Sequence, residues 1–179
     1  MKTRLYGLDV DGVLLNFSQA FIEKCCSMGL PCPSDWTKVR GWMFVDEKVF
    51  YQVWKEIEKD EKFWLSLPPF EDAVKSIKKL PPPEVYVTHR PISSLITKQS
   101  LLNAGFPDAK VISVAEPENK VLQLKLNKVE VFVDDRITSC KYFRDNGIDC
   151  LLYDAPYHIT EDTLNLPTIK SLKELKKYL

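Results

Sequence analysis

The stretch Leu5-Tyr6-Gly7-Leu8-Asp9-Val10-Asp11-Gly12-Val13-Leu14 decides how the rest of the chain is read. An apolar run leads into two aspartates one residue apart, and a glycine follows. Such a run suits a strand buried inside a sheet. Two carboxylates at its end are costly to bury unless a cation meets them. That cost points to a metal ion with a phosphate beyond it. Gly12 lets the backbone turn sharply where a side chain would crowd a ligand. Taken alone, Asp-x-Asp-Gly is also an ordinary strand-end turn, so its meaning depends on what lies further along.

Outward from this stretch, strands and helices alternate. Residues 84–88, 110–114, 129–133 and 150–153 read as short buried strands, with 150–153 the last. Helical spacing covers 17–28, where Phe17, Ala20, Phe21 and Met28 recur before Gly29 and Pro31. It covers 46–59, with Asp46 as N-cap and Val49, Phe50, Val53, Trp54 and Ile57 on one stripe. Further helices are expected over 72–80, 93–104, 120–126, 138–146 and 171–179. The first of these is stopped by Pro81-Pro82-Pro83. Gly105 and Gly147 close two others. Alternation of this kind predicts an α/β fold: a Rossmann-like parallel sheet with helices on both faces. Residues 17–65 hold all four tryptophans and no strand pattern. They read as a small helical cap inserted after the first strand, leaving 1–16 and 66–179 as the core.

Composition bounds the function classes. A chain of 179 residues, 45% of them hydrophobic, is one domain with a modest insertion and can bury a sizeable core. Its 25 basic and 25 acidic residues cancel, which argues against bulk binding to nucleic acid. No apolar segment has the length of a membrane span or signal peptide, so a cytoplasmic protein, monomer or homodimer, is expected. The five cysteines, Cys25, Cys26, Cys32, Cys140 and Cys150, lack zinc-type spacing and read as free thiols in a reducing compartment.

Three predicted strands end in polar residues: Asp9 and Asp11, then Thr88, then Asp134 and Asp135. In a parallel α/β sheet ligands sit beyond the carboxyl ends of the strands, so these residues are expected to meet in one crevice. Each type suits phosphoryl transfer. A carboxylate can attack phosphorus, a second carboxyl can move the proton, and further carboxylates can hold Mg²⁺ through oxygen. A hydroxyl and a lysine can grip phosphate oxygens.

In this order and at these strand ends, the set resembles the haloacid dehalogenase superfamily of phosphohydrolases. The resemblance implies that Asp9 is the nucleophile and a Mg²⁺ ligand. It implies that Asp11 is the general acid and base and lends its backbone carbonyl to the metal. Asp135 would complete the metal shell, with Asp134 beside it as a supporting residue or an alternate ligand, and Thr88 would hold the phosphoryl group. Two lysines compete for the phosphate-contacting position: Lys120, favoured by its place before the fourth strand, and Lys98. Within the superfamily the chain is similar to 5′(3′)-deoxyribonucleotidases in its small cap and in Asp134-Asp135-Arg136. The run Tyr153-Asp154-Ala155-Pro156-Tyr157 and the segment Lys62-Phe63-Trp64-Leu65-Ser66-Leu67-Pro68 are also similar. That likeness implies a nucleoside monophosphate substrate, stacked on Phe63 and Trp64, with Phe44 a weaker third. The same aromatics also suit a plain cap core. His89 and Arg90 stand where that group tends to have a small residue, and could contact phosphate or substrate. A Thr-x-Arg here is also similar to the phosphatase domain of polynucleotide kinase-phosphatases, which makes a polynucleotide 3′-phosphatase the alternative. A metal-binding protein on the same fold without turnover is the alternative from another class. Arg136 also reads as a structural ion-pair residue, and His158 stands where Asn is common.

Overall fold

The computed structural model describes residues 4–38, 45–160 and 165–179; Trp42 and Phe44 lie outside them. Its centre is a six-stranded sheet in which every pairing is parallel. The strands are β1 (Tyr6–Leu8), β2 (Val85–Thr88), β3 (Lys110–Ser113), β4 (Val131–Asp134), β5 (Asp149–Tyr153) and β6 (Thr168–Ile169). Their spatial order is β3-β2-β1-β4-β5-β6, so β1 lies between β2 and β4. Leu8 pairs with Tyr86 on one side and Val133 on the other, which brings the ends of these three strands level.

Successive side chains on a strand point to opposite faces, and the core divides accordingly. Tyr6, Leu8, Tyr86, Val131, Val133 and Leu151 point into one apolar layer. It is completed by α1 (Phe17–Ser27), α2 (Glu47–Ile57), α3 (Glu61–Leu65), α4 (Ala73–Ile77) and α5 (Ser94–Ala104). Val85, Val87, Phe132, Cys150 and Leu152 point into the other layer, under α6 (Pro117–Leu126) and α7 (Ile137–Asp145). Gly7 faces this second layer, where a Cβ would lie 3.1 Å from the Val85 carbonyl oxygen and 3.3 Å from the Phe132 ring.

Local chemistry sets the ends. Asp46 accepts from the Lys48 N–H and Ser93 from the Leu95 N–H, as N-cap side chains do. Gly105 closes α5 at φ +91°, a left-handed angle suited to glycine. The helices α1, α2 and α3 pack into the same apolar layer as β1 rather than around a separate centre.

Three expectations are corrected. Residues 150–153 are not the last strand, because Thr168–Ile169 adds beside β5. Two residues carry no readable period, which hid the strand. The tail turns as a 3₁₀ helix over Leu172–Lys177 rather than as an α-helix, burying Leu172 and Leu175. The cysteines are not all free: Cys26 and Cys32 form a disulfide that ties the end of α1 to the following loop, while Cys25, Cys140 and Cys150 are free and buried. No described helix is long and apolar enough to cross a membrane.

Candidate active site

Beyond the carboxyl ends of β1, β2 and β4 lies a crevice of about 160 Å³. Asp9 follows β1 directly. Its backbone N–H donates to the Val133 carbonyl at 2.9 Å, so the sheet ladder fixes it. The chain then turns, with the N–H groups of Leu14 and Leu15 both donating to the Val10 carbonyl at 2.9 Å. Gly12 takes φ +81° in this turn, and a Cβ there would collide with the Asp135 carboxylate. Asn16 then caps α1, accepting from the Gln19 N–H at 3.1 Å.

Asp9, Asp134 and Asp135 are all buried, and each offers a carboxylate oxygen within 4.8 Å of the others. Lys120, 2% exposed and on α6, reaches across to them. Its Nζ lies 2.8 Å from Asp134 Oδ2 and 3.0 Å from Asp9 Oδ2. It also lies 5.1 Å from the Phe132 ring centroid. Lys98 is far from this: it pairs with Asp108 at 2.6 Å and is part-exposed. Asp134 is fully taken up, its second oxygen accepting the Arg136 N–H at 2.9 Å. Asp135 is held from two directions. Tyr157 donates its hydroxyl to the carboxylate, and His158 Nε2 meets the Asp135 carbonyl at 2.5 Å. His158 Nδ1 accepts the Ala155 N–H at 3.1 Å, so Nε2 is the protonated nitrogen that donates.

The electrostatics follow from crowding. Burial pushes the Asp9 carboxyl up to about 7; Asp134 and Asp11 push the same way, while Lys120 and the Val10 N–H oppose them. Burial, then Asp134 and Asp9, raise Asp135 well above the usual carboxylate range. Burial alone would depress Lys120, but Asp134 and Asp9 outweigh it and hold the ammonium above its ordinary value. His89 keeps an exposed edge; even so, partial burial lowers its pKa, and Lys120 and Arg136 add to the effect.

Ionised together, the three buried carboxylates would outnumber the one ammonium by two charges, which is why burial pushes Asp9 and Asp135 upward. All the donors are hard oxygens, which suits a divalent ion such as Mg²⁺. Each of the three offers it an oxygen; Asp9 and Asp135 do so from the lining of the crevice, and Asp134 from behind them at 0% exposure. The carboxylate of Asp11 stands apart. Arg90 forks onto it, Nε at 2.8 Å from Oδ2 and Nη2 at 2.7 Å from Oδ1.

The crevice is lined by Asp9, Asp11, Thr88, His89, Arg90, Lys120, Asp135 and Trp64, all anticipated from sequence. Asp134 lies behind them, 0% exposed. Phe63 is not part of the lining; it packs edge-on to Trp64 and Phe17, at 5.4 and 6.2 Å between centroids. Trp64 is 1% exposed, parallel to Phe17 at 5.6 Å, and donates its indole N–H to the Ile57 carbonyl. It therefore serves as a packed wall and offers no open face for a base. The half-buried aromatic on the lining is Trp54, with Phe17, Ser18, Ser139 and Tyr157 beside it. Sequence reasoning placed Trp54 only on an apolar stripe. Ser18 had one usable signal, its position in the first turn of the helix after the aspartates.

Solved structures with a similar fold include haloacid dehalogenases and a haloacid dehalogenase-superfamily hydrolase, and the likeness is one of fold. An L-2-haloacid dehalogenase is similar at TM-score 0.63 and 13% identity, with 99% of each chain covered. A haloacid dehalogenase-superfamily hydrolase from Geobacter sulfurreducens is similar at TM-score 0.59 and 15% identity, covering 99% of this chain and 100% of that one. CbbY from Rhodobacter sphaeroides, in complex with phosphate, is similar at TM-score 0.60 and 17% identity, covering 97% of this chain and 96% of that one. No family model and no curated protein sequence matches the chain.

Proposed function

We propose that this protein is a Mg²⁺-dependent phosphomonoesterase acting on a small phosphate ester, a nucleoside monophosphate above all. One observation carries the reading: Asp9 emerges into the crevice from a buried cluster with Asp134, Asp135 and Lys120, while Arg90 holds Asp11 alongside. In the first step an Asp9 oxygen attacks phosphorus, and the bond from phosphorus to the leaving oxygen breaks as the Asp11 carboxyl gives that oxygen a proton. In the second, Asp11 takes a proton from water, whose oxygen attacks phosphorus and frees phosphate and the Asp9 carboxylate. Thr88 and Lys120 line the crevice where the phosphoryl group would sit, with His89 and Arg136 adding hydrogen-bond donors beside them. Asp9 and Asp135, with the Asp11 carbonyl, would hold Mg²⁺, which would supply positive charge to keep the carboxylates ionised and let an anion approach. The helices of 17–65 act as a cap that excludes water and selects the leaving group. Trp54, rather than Phe63 or Trp64, is the side chain placed to stack on a base.

The alternative, a polynucleotide 3′-phosphatase, is weaker because Arg90 is turned inward onto Asp11 instead of lining an open basic groove. The test is a release assay on nucleoside 5′- and 3′-monophosphates, phosphorylated DNA ends, p-nitrophenyl phosphate and 2-haloalkanoic acids. Nucleotide hydrolysis that is lost in Asp9→Asn and in excess chelator is expected. Halide release without phosphate release would overturn the reading in favour of dehalogenation.

A further inference from the structure

Arg90 is an unusual side chain to find inside a protein of this size. Its side chain has no accessible surface, and it sits two residues past the Thr88 that ends β2. Arginine is rarely fully buried unless paired. Its pairing is specific: Nε and Nη2 make two parallel bonds to the two oxygens of Asp11, the fork geometry that a guanidinium offers and an ammonium does not. The remaining nitrogen, Nη1, is buried with no hydrogen-bond partner in the protein. Among the described residues Asp11 is thus the one carboxylate this guanidinium serves. On its other side the guanidinium carbon lies 5.1 Å from the Trp64 ring centroid. Trp64 is itself anchored through its indole N–H to Ile57 and through its carbonyl to the Ser100 hydroxyl. A rigid indole therefore seats the arginine, and the arginine aims the acid. Asp11 needs such support, since its side chain is 23% exposed and it lies within the turn after β1 rather than in the sheet.

We infer that Arg90 is a positioning residue for proton transfer: it sets where the Asp11 carboxyl points, and Trp64 sets Arg90. This rests on the phosphatase reading above and deepens it. Arg90 then matters most when the leaving oxygen must receive a proton as it departs, and least when the leaving group departs as a stable anion. The fork itself is the resting arrangement, with both Asp11 oxygens accepting from Arg90. An oxygen must turn towards the leaving group or water for the proton to pass.

The experiment is a double-mutant cycle with Asp11→Asn, Arg90→Gln and the pair together, read on two esters with Mg²⁺ present. One is 2,4-dinitrophenyl phosphate, whose leaving group needs no proton, and the other is an alkyl or nucleoside phosphate, whose leaving group does. The inference expects Arg90→Gln to lower kcat/KM, which reports only as far as departure of the leaving group, at least tenfold more on the second ester than on the first, as Asp11→Asn does. It expects the double variant to be no slower than Asp11→Asn alone. Arg90→Lys keeps the charge and loses the fork, so it should show the same bias while unfolding at close to the wild-type temperature. Equal losses on both esters, or losses that multiply in the double variant, would overturn the inference and leave the phosphatase reading intact. A wild-type protein that hydrolyses neither ester would overturn both.

Discussion

Replacing Lys120 with methionine removes the single cation from the buried cluster while nearly keeping its volume. Its Nζ lies within 3.0 Å of both Asp9 and Asp134, and it is 2% exposed. Breaking a buried pair by removing one partner costs about 3–5 kcal/mol, because the remaining charge is left uncompensated. The pH dependence follows from Asp9, whose carboxyl burial pushes up to about 7 even with Lys120 opposing. A carboxyl with a folded pKa above its unfolded one lends stability at low pH, and this is lost as pH rises from about 4, its unfolded value, through the folded one. Over that window Asp9 alone takes away roughly 4 kcal/mol. Without Lys120 the folded pKa rises further, so the loss continues to higher pH. The deficit of Lys120→Met should be widest near pH 8 in chelator and narrow towards pH 4. At about 2–4 °C per kcal/mol for a chain of this length, the midpoint at pH 8 should fall by roughly 6–20 °C. Saturating Mg²⁺ should recover part of it. Thermal unfolding by circular dichroism from pH 4 to 8, with EDTA or Mg²⁺, measures all of this. A variant as stable as wild type at pH 8 in EDTA would refute the charge accounting of the cluster.

Gly12→Ala should both strain the turn, by about 1–2 kcal/mol for a left-handed residue, and push against the Asp135 carboxylate. Its Mg²⁺ midpoint, read by calorimetric titration, should weaken by roughly tenfold or more, and unchanged affinity would contradict the close approach. Trp54→Ala should raise KM for nucleoside monophosphates by roughly 5- to 150-fold, the range for one base-stacking side chain, while inhibition by inorganic phosphate stays constant. If KM does not move, the base is read elsewhere. Cys26→Ser opens a loop of sequence separation 6 and should cost about 2 kcal/mol. A reducing agent should lower the wild-type midpoint equally, and indifference to reductant would mean that the disulfide contributes nothing.

Much of the site was legible before any coordinates because each part carries a local signature. An apolar run closing on Asp-x-Asp-Gly, and another closing on Asp-Asp, can be read from neighbours in the chain. The rule that parallel strands present ligands at their carboxyl ends then brings positions 9, 11, 88, 134 and 135 together without knowledge of a single distance. The choice between Lys120 and Lys98 rested on order in the chain. The structure separates them by surroundings: one is buried among carboxylates, the other part-exposed on Asp108. The aromatics were the least legible. Phe63, Trp64 and Trp54 share a composition and a helical period, and only packing distinguishes a ring that faces the crevice from one sealed behind it. The disulfide was hidden for a related reason, since a separation of six residues allows a bridge but does not bend the chain to make one.

Sequence by itself determined the order of the first five strands and the acidic strand ends, because periodicity and turn chemistry act over a few residues. Tertiary structure alone decided that Arg90 would serve Asp11, that Tyr157 and His158 would hold Asp135, and that Trp54 would face the crevice. Those outcomes depend on how separate elements approach one another, and the approach is set by the volumes filling the two apolar layers of the sheet rather than by any short stretch of chain.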